Sequence, residues 1–169
     1  RSKYHAVTFN PNGATSCKMS DKKMLSGKSY KLPKNGFKKK GYAFTGWSTE
    51  PGGSVVYTNK GAYLNGTPVD AGLIGTVTTL YAKWEIVNYT VSYVGADESG
   101  NSNPTTYTYE ETRYSGIPLS DAVKEGYDFG GWFKDKKCTA SKRIYEIPKG
   151  SAANLKVYAK WTAQKIGSS

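Results

Sequence analysis

The chain has 169 residues, of which 37% are hydrophobic and 14% aromatic, and this length suits one domain or two small ones. The composition is too aromatic for a disordered chain and too polar for one large buried core. The formal net charge of +11 attracts polyanions in general, but only three of the 24 basic residues are arginine, which argues against base-specific recognition of nucleic acid.

The first predicted strand covers residues 7–9, where polar and apolar residues alternate, and the turn signal Asn-Pro-Asn-Gly follows it at residues 10–13. His5, the single histidine, lies in or beside this strand. Because no signature of a nucleophile or an orienting acid accompanies it, we expect His5 to pack among aromatic residues rather than to act in catalysis.

A lysine-rich segment follows the turn. Between residues 18 and 40, nine lysines stand against one acidic residue, Asp21. One interpretation is a patch that binds an anionic cell-wall polymer or a host glycan. The other is a solvated lysine face that protects a sheet edge from aggregation, and the sequence leaves both open. The residues concerned are Lys18, Lys22, Lys23, Lys28, Lys31, Lys34, Lys38, Lys39 and Lys40.

Residues 41–47 read Gly-Tyr-Ala-Phe-Thr-Gly-Trp and are typical of a strand. In a regular strand Tyr42 and Phe44 face one side and Trp47 faces the other. One extra residue in the strand pairing would bring Trp47 to the side of the other two rings. Glycine permits such a bulge, so we predict one at Gly46 and at its counterpart Gly131. The alternative is a strand that is covered on both faces.

The segment at residues 80–84, Leu-Tyr-Ala-Lys-Trp, predicts a half-buried strand because alternate residues share a face. We expect Trp84 to lie in the core and Lys83 to lie in solvent. The next four residues, 85–88, contain no run of Gly, Pro or Ser. The connection to the rest of the chain is therefore predicted to be short and stiff.

The second half of the chain repeats the first. The motif at 41–47 recurs at 126–132, the strand at 80–84 recurs at 157–161, and the same order of landmarks is kept. The repeat predicts modules at residues 1–86 and 87–165, with a tail at 166–169. Positions that both copies share are best explained by the fold. We therefore predict a core that contains Tyr42, Phe44, Trp47, Trp84, Tyr127, Phe129, Trp132 and Trp161.

Other features are present in only one copy. Residues 120–126 are predicted to form one or two helical turns between Ser120 and Gly126. An acidic loop at residues 97–103 either holds Ca²⁺ weakly or forms a solvated turn, since its spacing is not that of an EF-hand. The tryptophans would suit sugar stacking but are assigned to the core, so the better candidates for ligand contact are Tyr57, Tyr63, Tyr107, Tyr109 and Tyr114. The alternative is that these tyrosines are ordinary cross-strand partners.

Cys17 and Cys138 occupy unmatched positions in the two copies, which predicts two free thiols rather than a disulfide framework. The sequence lacks metal-ligand spacing, nucleotide-binding loops and a convergent catalytic set, so we predict no enzyme, cofactor or metal site. No segment has the length of a membrane span or the pattern of a signal peptide. We expect a monomeric fragment of a larger multidomain protein.

The frame Val-Thr-Phe-Asn-Pro-Asn-Gly, Leu-Pro, Gly-Tyr-x-Phe-x-Gly-Trp and Leu-Tyr-Ala-Lys-Trp resembles the Listeria–Bacteroides repeat, the internalin B-type B-repeat family, in two copies over residues 4–85 and 88–162. The resemblance implies β-rich α+β modules of a small β-grasp-like (ubiquitin-like) type. Each would have a roughly four-stranded sheet and at most a short helix. It also implies a secreted or cell-wall-attached bacterial protein, and it supplies no catalytic residues.

The function expected from these features is that of a non-catalytic repeat at the bacterial cell surface, acting as a spacer, a stalk or an adhesion module. The alternative is a polyanion- or glycan-binding module, and an enzymatic role is a third possibility. Residues 1–86 hold 13 Lys/Arg and 4 Asp/Glu, whereas residues 87–169 hold 11 and 9. The first copy is therefore the better candidate for binding an anionic wall polymer or a host glycan, and a host surface protein is a further candidate partner.

Overall fold

The computed structural model describes residues 2–165, so the predicted tail at 166–169 lies outside the described residues. The chain divides into two compact units between Ile86 and Val87, here called the first and second modules. Both are built mainly of β-strands, as predicted. In the described part of the chain, one α-helical turn, α1 at Tyr109–Thr112, and three short 3-10 turns complete the regular structure.

The first module contains four strands, β1 His5–Asn10, β2 Lys22–Met24, β3 Tyr42–Ser48 and β4 Val77–Ile86. They form one sheet in the order β2-β1-β4-β3. The central strands β1 and β4 are parallel, and each outer strand pairs antiparallel with its neighbour. The first and last strands of the module are therefore neighbours at the centre of the sheet.

The second module has the same centre, because β5 Tyr89–Val94 and β11 Leu155–Ala163 are parallel neighbours. The strands β6 Thr106–Tyr107, β8 Tyr127–Phe133 and β9 Arg143–Ile144 complete a sheet in the order β6-β5-β11-β8-β9. A separate two-stranded ribbon joins β7 Ile117–Pro118 to β10 Glu146–Ile147. The sheet thus has five strands rather than the predicted four, because β9 adds two residue pairs at the edge of β8.

The predicted bulge is confirmed in both modules. The pairing register shifts at Thr45 in β3 and at Gly130 in β8, immediately before the predicted glycines. Gly46 has φ = 146° and Gly131 has φ = 118°, values in the region that favours glycine. The extra residue turns the tryptophan that follows each glycine into the core, where both indoles are buried.

Aromatic rings surround the buried tryptophan of the first module. The ring of Trp47 lies 4.9 Å from that of Phe9, 4.9 Å from that of Phe44 and 6.0 Å from that of Phe37, measured between centroids. These tilted and edge-on contacts are the geometry that aromatic pairs prefer. The indole Nε1 of Trp47 is buried and has no hydrogen-bond partner within residues 2–165.

His5 is also part of this core, as predicted. It is fully buried, and its ring lies nearly parallel to that of Tyr63. Its Nε2 is 2.8 Å from Tyr63 Oη, and its Nδ1 is 3.0 Å from both the carbonyl oxygen and Oγ1 of Thr76. Burial raises the pKa of Tyr63. Both imidazole nitrogens are thus committed to contacts within the fold.

The core of the second module is built around Trp132. Its ring lies 5.1 Å from that of Tyr93 and 5.0 Å from that of Phe129. Unlike its counterpart in the first module, the Trp132 indole donates a hydrogen bond of 2.9 Å to the carbonyl oxygen of Ser120. Tyr93 takes the place of Phe9, and its hydroxyl donates to the carbonyl oxygen of Pro104.

The predicted core is wrong for Tyr127, which is 39% exposed. It lies at the first position of β8 and pairs with Ala163 at the end of the sheet, so no layer of side chains covers it fully. The other shared residues outside the two central tryptophans are half-buried and form the margin of each core. They are Tyr42, Phe44, Trp84, Phe129 and Trp161.

The predicted helix at residues 120–126 is also wrong, because this segment is irregular and ends in a turn. Its backbone donors are taken by the preceding loop: the Ser120 N–H donates to Asn103 Oδ1, and the Val123 N–H donates to the carbonyl oxygen of Gly100. The helical turn forms instead at α1. There the side chains of Thr108 and Glu111 form a capping box.

Candidate functional site

The nine lysines of the predicted cluster lie on three backbone segments of the first module. Lys22 and Lys23 lie on the short edge strand β2, where successive side chains point to opposite faces of the sheet. Lys22 lies over the ring of Tyr30 and Lys23 over the ring of Tyr4, with Nζ to centroid distances of 5.5 and 5.6 Å. This pair fits the predicted role of lysines in protecting a sheet edge.

A second group, Lys28, Lys31 and Lys34, lies on a segment that runs beside residues 59–69. The Val69 N–H donates to the carbonyl oxygen of Lys28, and Lys31 forms an isolated bridge with residue 62. All three side chains are exposed. The 59–69 segment therefore fixes the backbone that carries this group.

The third group contains Lys18, Lys38, Lys39 and Lys40, here called the turn-side lysines. Residues 15–16 pair with Lys38 through backbone hydrogen bonds of 3.1 and 3.4 Å, which brings the start of the lysine-rich segment beside its end.

A lysine–tyrosine contact occurs at the same place in both modules. Lys39 Nζ lies 4.1 Å from the ring centroid of Tyr42, and Lys124 Nζ lies 4.4 Å from that of Tyr127. Such cation–π contacts hold the ammonium group over the ring face. Both copies carry a lysine three residues before this tyrosine, so the pair was visible in the sequence, but it was not among the predicted shared features.

The second tryptophan of each module fastens the loop after the first strand to the last strand. Trp84 Nε1 donates to the carbonyl oxygen of Pro11 at 2.9 Å, and Trp161 Nε1 donates to that of Gly95 at 2.6 Å. Each indole keeps part of its surface exposed. Trp84 and Trp161 therefore pack against the core of their module without being enclosed by it.

The tyrosines that were candidates for ligand contact divide into buried and exposed sets. Tyr63 and Tyr107 are 3% and 1% exposed, so the prediction that they contact a ligand is wrong. Tyr57 packs on Tyr63 with a centroid distance of 5.4 Å and is half-buried. Tyr57 and Tyr63 pack in the first core, and Tyr107 packs in the second. Each comes from a segment that differs between the copies, so its presence in only one copy reflects packing and not ligand binding.

Tyr114 is different, because it is 76% exposed. The guanidinium of Arg113 lies 4.8 Å from its ring centroid and 5.6 Å from that of the half-buried Tyr109. Arg113 also forms an ion pair of 2.9 Å with Glu110. This exposed group lies on and after α1 in the second module.

The acidic loop uses its polar atoms for its own structure. Asp97 accepts a 2.6 Å hydrogen bond from Ser99 Oγ, and this bond lowers the pKa of the Asp97 carboxyl. Asn103 is buried and bonds to both backbone groups of Ser120. The exposed Glu98 and the half-buried Asn101 complete the loop. Within residues 2–165, no group of three His, Cys, Asp or Glu side chains is arranged to hold a metal ion.

Both cysteines are free thiols, as predicted: Cys17 is exposed and Cys138 is half-buried. With His5 engaged in the core and Cys17 exposed on a loop, the two do not form a nucleophile–base pair. In the described part of the chain, no helix has both the length and the apolar character needed to cross a bilayer.

Comparison with known proteins places both copies in one family. The Listeria-Bacteroides repeat domain matches residues 5–83 and 89–160. Two relatives come from Evansella cellulosilytica: one described as a Gly-rich membrane protein, 37% identical over 73% of this chain, and one described as a membrane protein, 36% identical over 49%. The aligned parts cover only 13% and 12% of those proteins. No solved structure matches the chain significantly.

Proposed function

The chain belongs to the Listeria-Bacteroides repeat domain family, and from this we propose that it is a non-catalytic tandem repeat of a surface-associated bacterial protein. The observation that carries the proposal is that the side chains shared by both copies serve the fold. The two central tryptophans are buried, and the two outer ones hold the loop after the first strand. The repeat thus reproduces a stable module instead of a reactive centre.

The module itself is best described as β-grasp-like, and we include this in the proposal. In each copy the first and last strands are parallel neighbours, and antiparallel strands flank them on both sides. This arrangement supports the ubiquitin-like topology, although the helix that would cover the sheet is absent from the first module's described residues and reduced to the single turn α1 in the second.

The setting follows from the relatives. Both are described as membrane proteins, and this chain corresponds to a small part of each. We propose that the repeats stand between an anchor and the functional domains of a long surface protein, where two folded units joined by a short connection supply distance. Exposed lysines along the first module would keep such a segment soluble.

A fusion on the surface of a Gram-positive cell tests this role. The chain is placed between a wall anchor and an epitope, and antibody binding to intact cells is compared with that of a directly anchored epitope. We expect higher antibody binding with the chain, and equal binding with a variant in which Lys38, Lys39 and Lys40 are changed to Glu. Antibody binding that is no higher with the chain than with the directly anchored epitope would contradict the spacer role.

Binding of a polyanion by the first module is a second candidate function, favoured by the turn-side lysines. Residues 1–86 carry a net charge of +9 against +2 for residues 87–169. Lys18, Lys38 and Lys40 are exposed, and Lys39 is half-buried over Tyr42. A basic surface of this kind attracts an anionic wall polymer or a sulfated glycan through its charge rather than through shape.

Retention on heparin, compared between two matched variants, measures this binding. We expect the wild-type chain to be retained at low salt and released towards physiological salt, because released counterions supply most of the affinity. A variant that carries Lys38→Glu, Lys39→Glu and Lys40→Glu together should not be retained at low salt. The control reverses Lys134, Lys136 and Lys137, three exposed lysines of the second module. Equal loss in both variants would show that net charge alone, and not the turn-side lysines, is responsible.

A further inference from the structure

The second module has an open pocket beside the loop after its first strand, a loop that the first module lacks. Its volume is about 650 Å³, within the roughly 300–1,000 Å³ typical of small-molecule sites. It is lined by the loop after β5, by residues 123–125 and by Trp161. In the first module, the compact turn Asn-Pro-Asn-Gly replaces this loop and Lys40 replaces Glu125.

Trp161 offers the pocket a ring surface rather than a hydrogen-bond donor. Its indole N–H is already bonded to the carbonyl oxygen of Gly95 at 2.6 Å. Edge-on contacts hold the ring in place, with centroid distances of 5.3 Å to Phe129 and 6.5 Å to Tyr127. An indole that is fixed in this way stacks on the C–H groups of a ligand without having to be ordered first.

Charges of both signs line the same pocket. The Asp97 carboxylate is held by Ser99 through its side-chain hydroxyl at 2.6 Å and its backbone N–H at 3.1 Å. Lys124 Nζ lies over the rings of both Tyr127 and Trp161, 4.4 and 5.8 Å from their centroids, and Glu125 is the next residue of the lining. A carboxylate accepts hydrogen bonds and an ammonium donates them, so these groups can satisfy hydroxyls in either role.

Two segments that line the pocket approach each other closely at Gly100 and Val123. The Val123 N–H donates to the carbonyl oxygen of Gly100 at 2.8 Å. A Cβ atom at position 100 would lie only 1.9 Å from the carbonyl oxygen of Val123, so glycine is required there. This contact fixes the spacing of the two segments before any ligand arrives.

We propose that this pocket binds a neutral saccharide, with a sugar ring stacked on Trp161 and its hydroxyls bonded to Asp97, Lys124 and Glu125. The mixed charges favour this class of ligand: the two carboxylates repel a polyanion, and the lysine repels a cation. A neutral, hydroxyl-rich ring with one apolar face is complementary to a fixed indole beside acceptors and a donor. The site is distinct from the turn-side lysines of the first module.

The test is a titration of the full ¹⁵N-labelled chain with chitotetraose, cellotetraose and maltotetraose, following the indole N–H signals of the four tryptophans. We expect at least one of these sugars to shift the Trp161 signal and the amides of Asp97 and Lys124, while the Trp84 signal stays in place. Trp84 is the matched control, because it makes the same bond to the loop after the first strand in the module where the compact turn Asn-Pro-Asn-Gly replaces the pocket loop.

Two variants complete the test. Trp161→Phe should weaken binding by roughly tenfold, since the stacking surface shrinks, whereas Trp84→Phe should leave the affinity unchanged. Asp97→Asn with Glu125→Gln removes both carboxylate charges but keeps a side-chain oxygen at position 97 that can accept the two bonds from Ser99. This double variant should weaken binding by roughly fivefold. The proposal is overturned if none of the three sugars shifts the Trp161 signal, if Trp84 shifts equally, or if the double variant binds as tightly as the wild type.

Discussion

The two modules share a sheet and a central tryptophan, but they treat the indole nitrogen differently. In the second module the Trp132 N–H donates to Ser120, whereas in the first the Trp47 N–H is buried without a partner in the described part of the chain. The space around Trp47 is filled by aromatic rings, including Phe37 and Phe44. The comparison indicates that the ring, and not its polar atom, is what the fold requires at this position.

The surfaces differ more than the cores. Both modules place a lysine over a tyrosine, but the residue after that lysine is basic in the first module and acidic in the second. At matched positions Lys40 becomes Glu125 and Ala43 becomes Asp128. One frame thus carries two different electrostatic surfaces, so the copies are unsuited to bind the same ligand.

The largest expected effect concerns the bulge glycines. A Cβ atom at position 46 would lie 2.7 Å from the backbone oxygen of Tyr57 and 2.5 Å from Val55, whereas one at position 131 would meet only the movable side chain of Arg143 at 2.6 Å. Both substitutions also place a side chain on a residue with positive φ, which adds strain. Gly46→Ala should therefore destabilise the first module by about 4 kcal/mol, and Gly131→Ala should destabilise the second by about 2 kcal/mol.

Urea unfolding, followed by the amide signals of each module in the full chain, measures both values. If Gly131→Ala cost as much as Gly46→Ala, the neighbouring backbone would not be the cause of the difference. The unmutated module in each variant is the internal control.

The next effect concerns the two central indoles. Trp47→Phe and Trp132→Phe remove the same ring atoms, but only the second change removes a hydrogen bond. Trp132→Phe should therefore cost about 1 kcal/mol more than Trp47→Phe in the same unfolding measurement. Equal losses would mean that the Trp47 nitrogen has a partner of equal value.

The smallest effect is a difference at alkaline pH. Burial raises the pKa of Tyr93 from 10.0 to about 12, and its counterpart Phe9 has no hydroxyl to titrate. As the pH rises from 10.0 towards about 12, the unfolded chain loses the hydroxyl proton of Tyr93 while the folded second module keeps it. The contribution of Tyr93 to the free energy of unfolding is therefore fully present below pH 10.0 and is lost as the pH rises towards about 12. Tyr93→Phe should flatten this decline.

Thermal unfolding of the second module between pH 9 and 12 provides the check, since those values bracket the two pKa values of Tyr93. The first module should keep its own alkaline profile in the variant, because burial also raises the pKa of Tyr63 there. A slope that is unchanged by Tyr93→Phe would assign the alkaline loss to another group.

Much of the fold was predictable because the repeat supplied an internal comparison. Shared residues located the strands, and the parity of Trp47 against Phe44 predicted the bulge. The irregular course of residues 120–126 was not predictable, because the Asn103 side chain and the Gly100 carbonyl, distant in sequence, take its backbone donors. Nor did the sequence distinguish a central tryptophan from one at the margin, since both positions are shared.

The candidate surfaces were predicted less well. Lysines close in sequence were expected to form one patch, and the structure places them on three segments whose backbones pair with different parts of the first module. The pocket beside Trp161 depends on the contact between Gly100 and Val123, which no local pattern encodes. Side-chain chemistry was visible in the sequence, but its convergence in space was not.

The most direct test of the account is a comparison of matched positions in one experiment. The ¹⁵N-labelled full chain is titrated with a heparin tetrasaccharide at low salt, and the amide shifts of Lys39 and Tyr42 are compared with those of Lys124 and Tyr127. If the unshared surfaces determine binding, the shifts will be confined to the first module around the turn-side lysines. Equal shifts at both lysine–tyrosine pairs would contradict this, because the shared frame would then be the binding site.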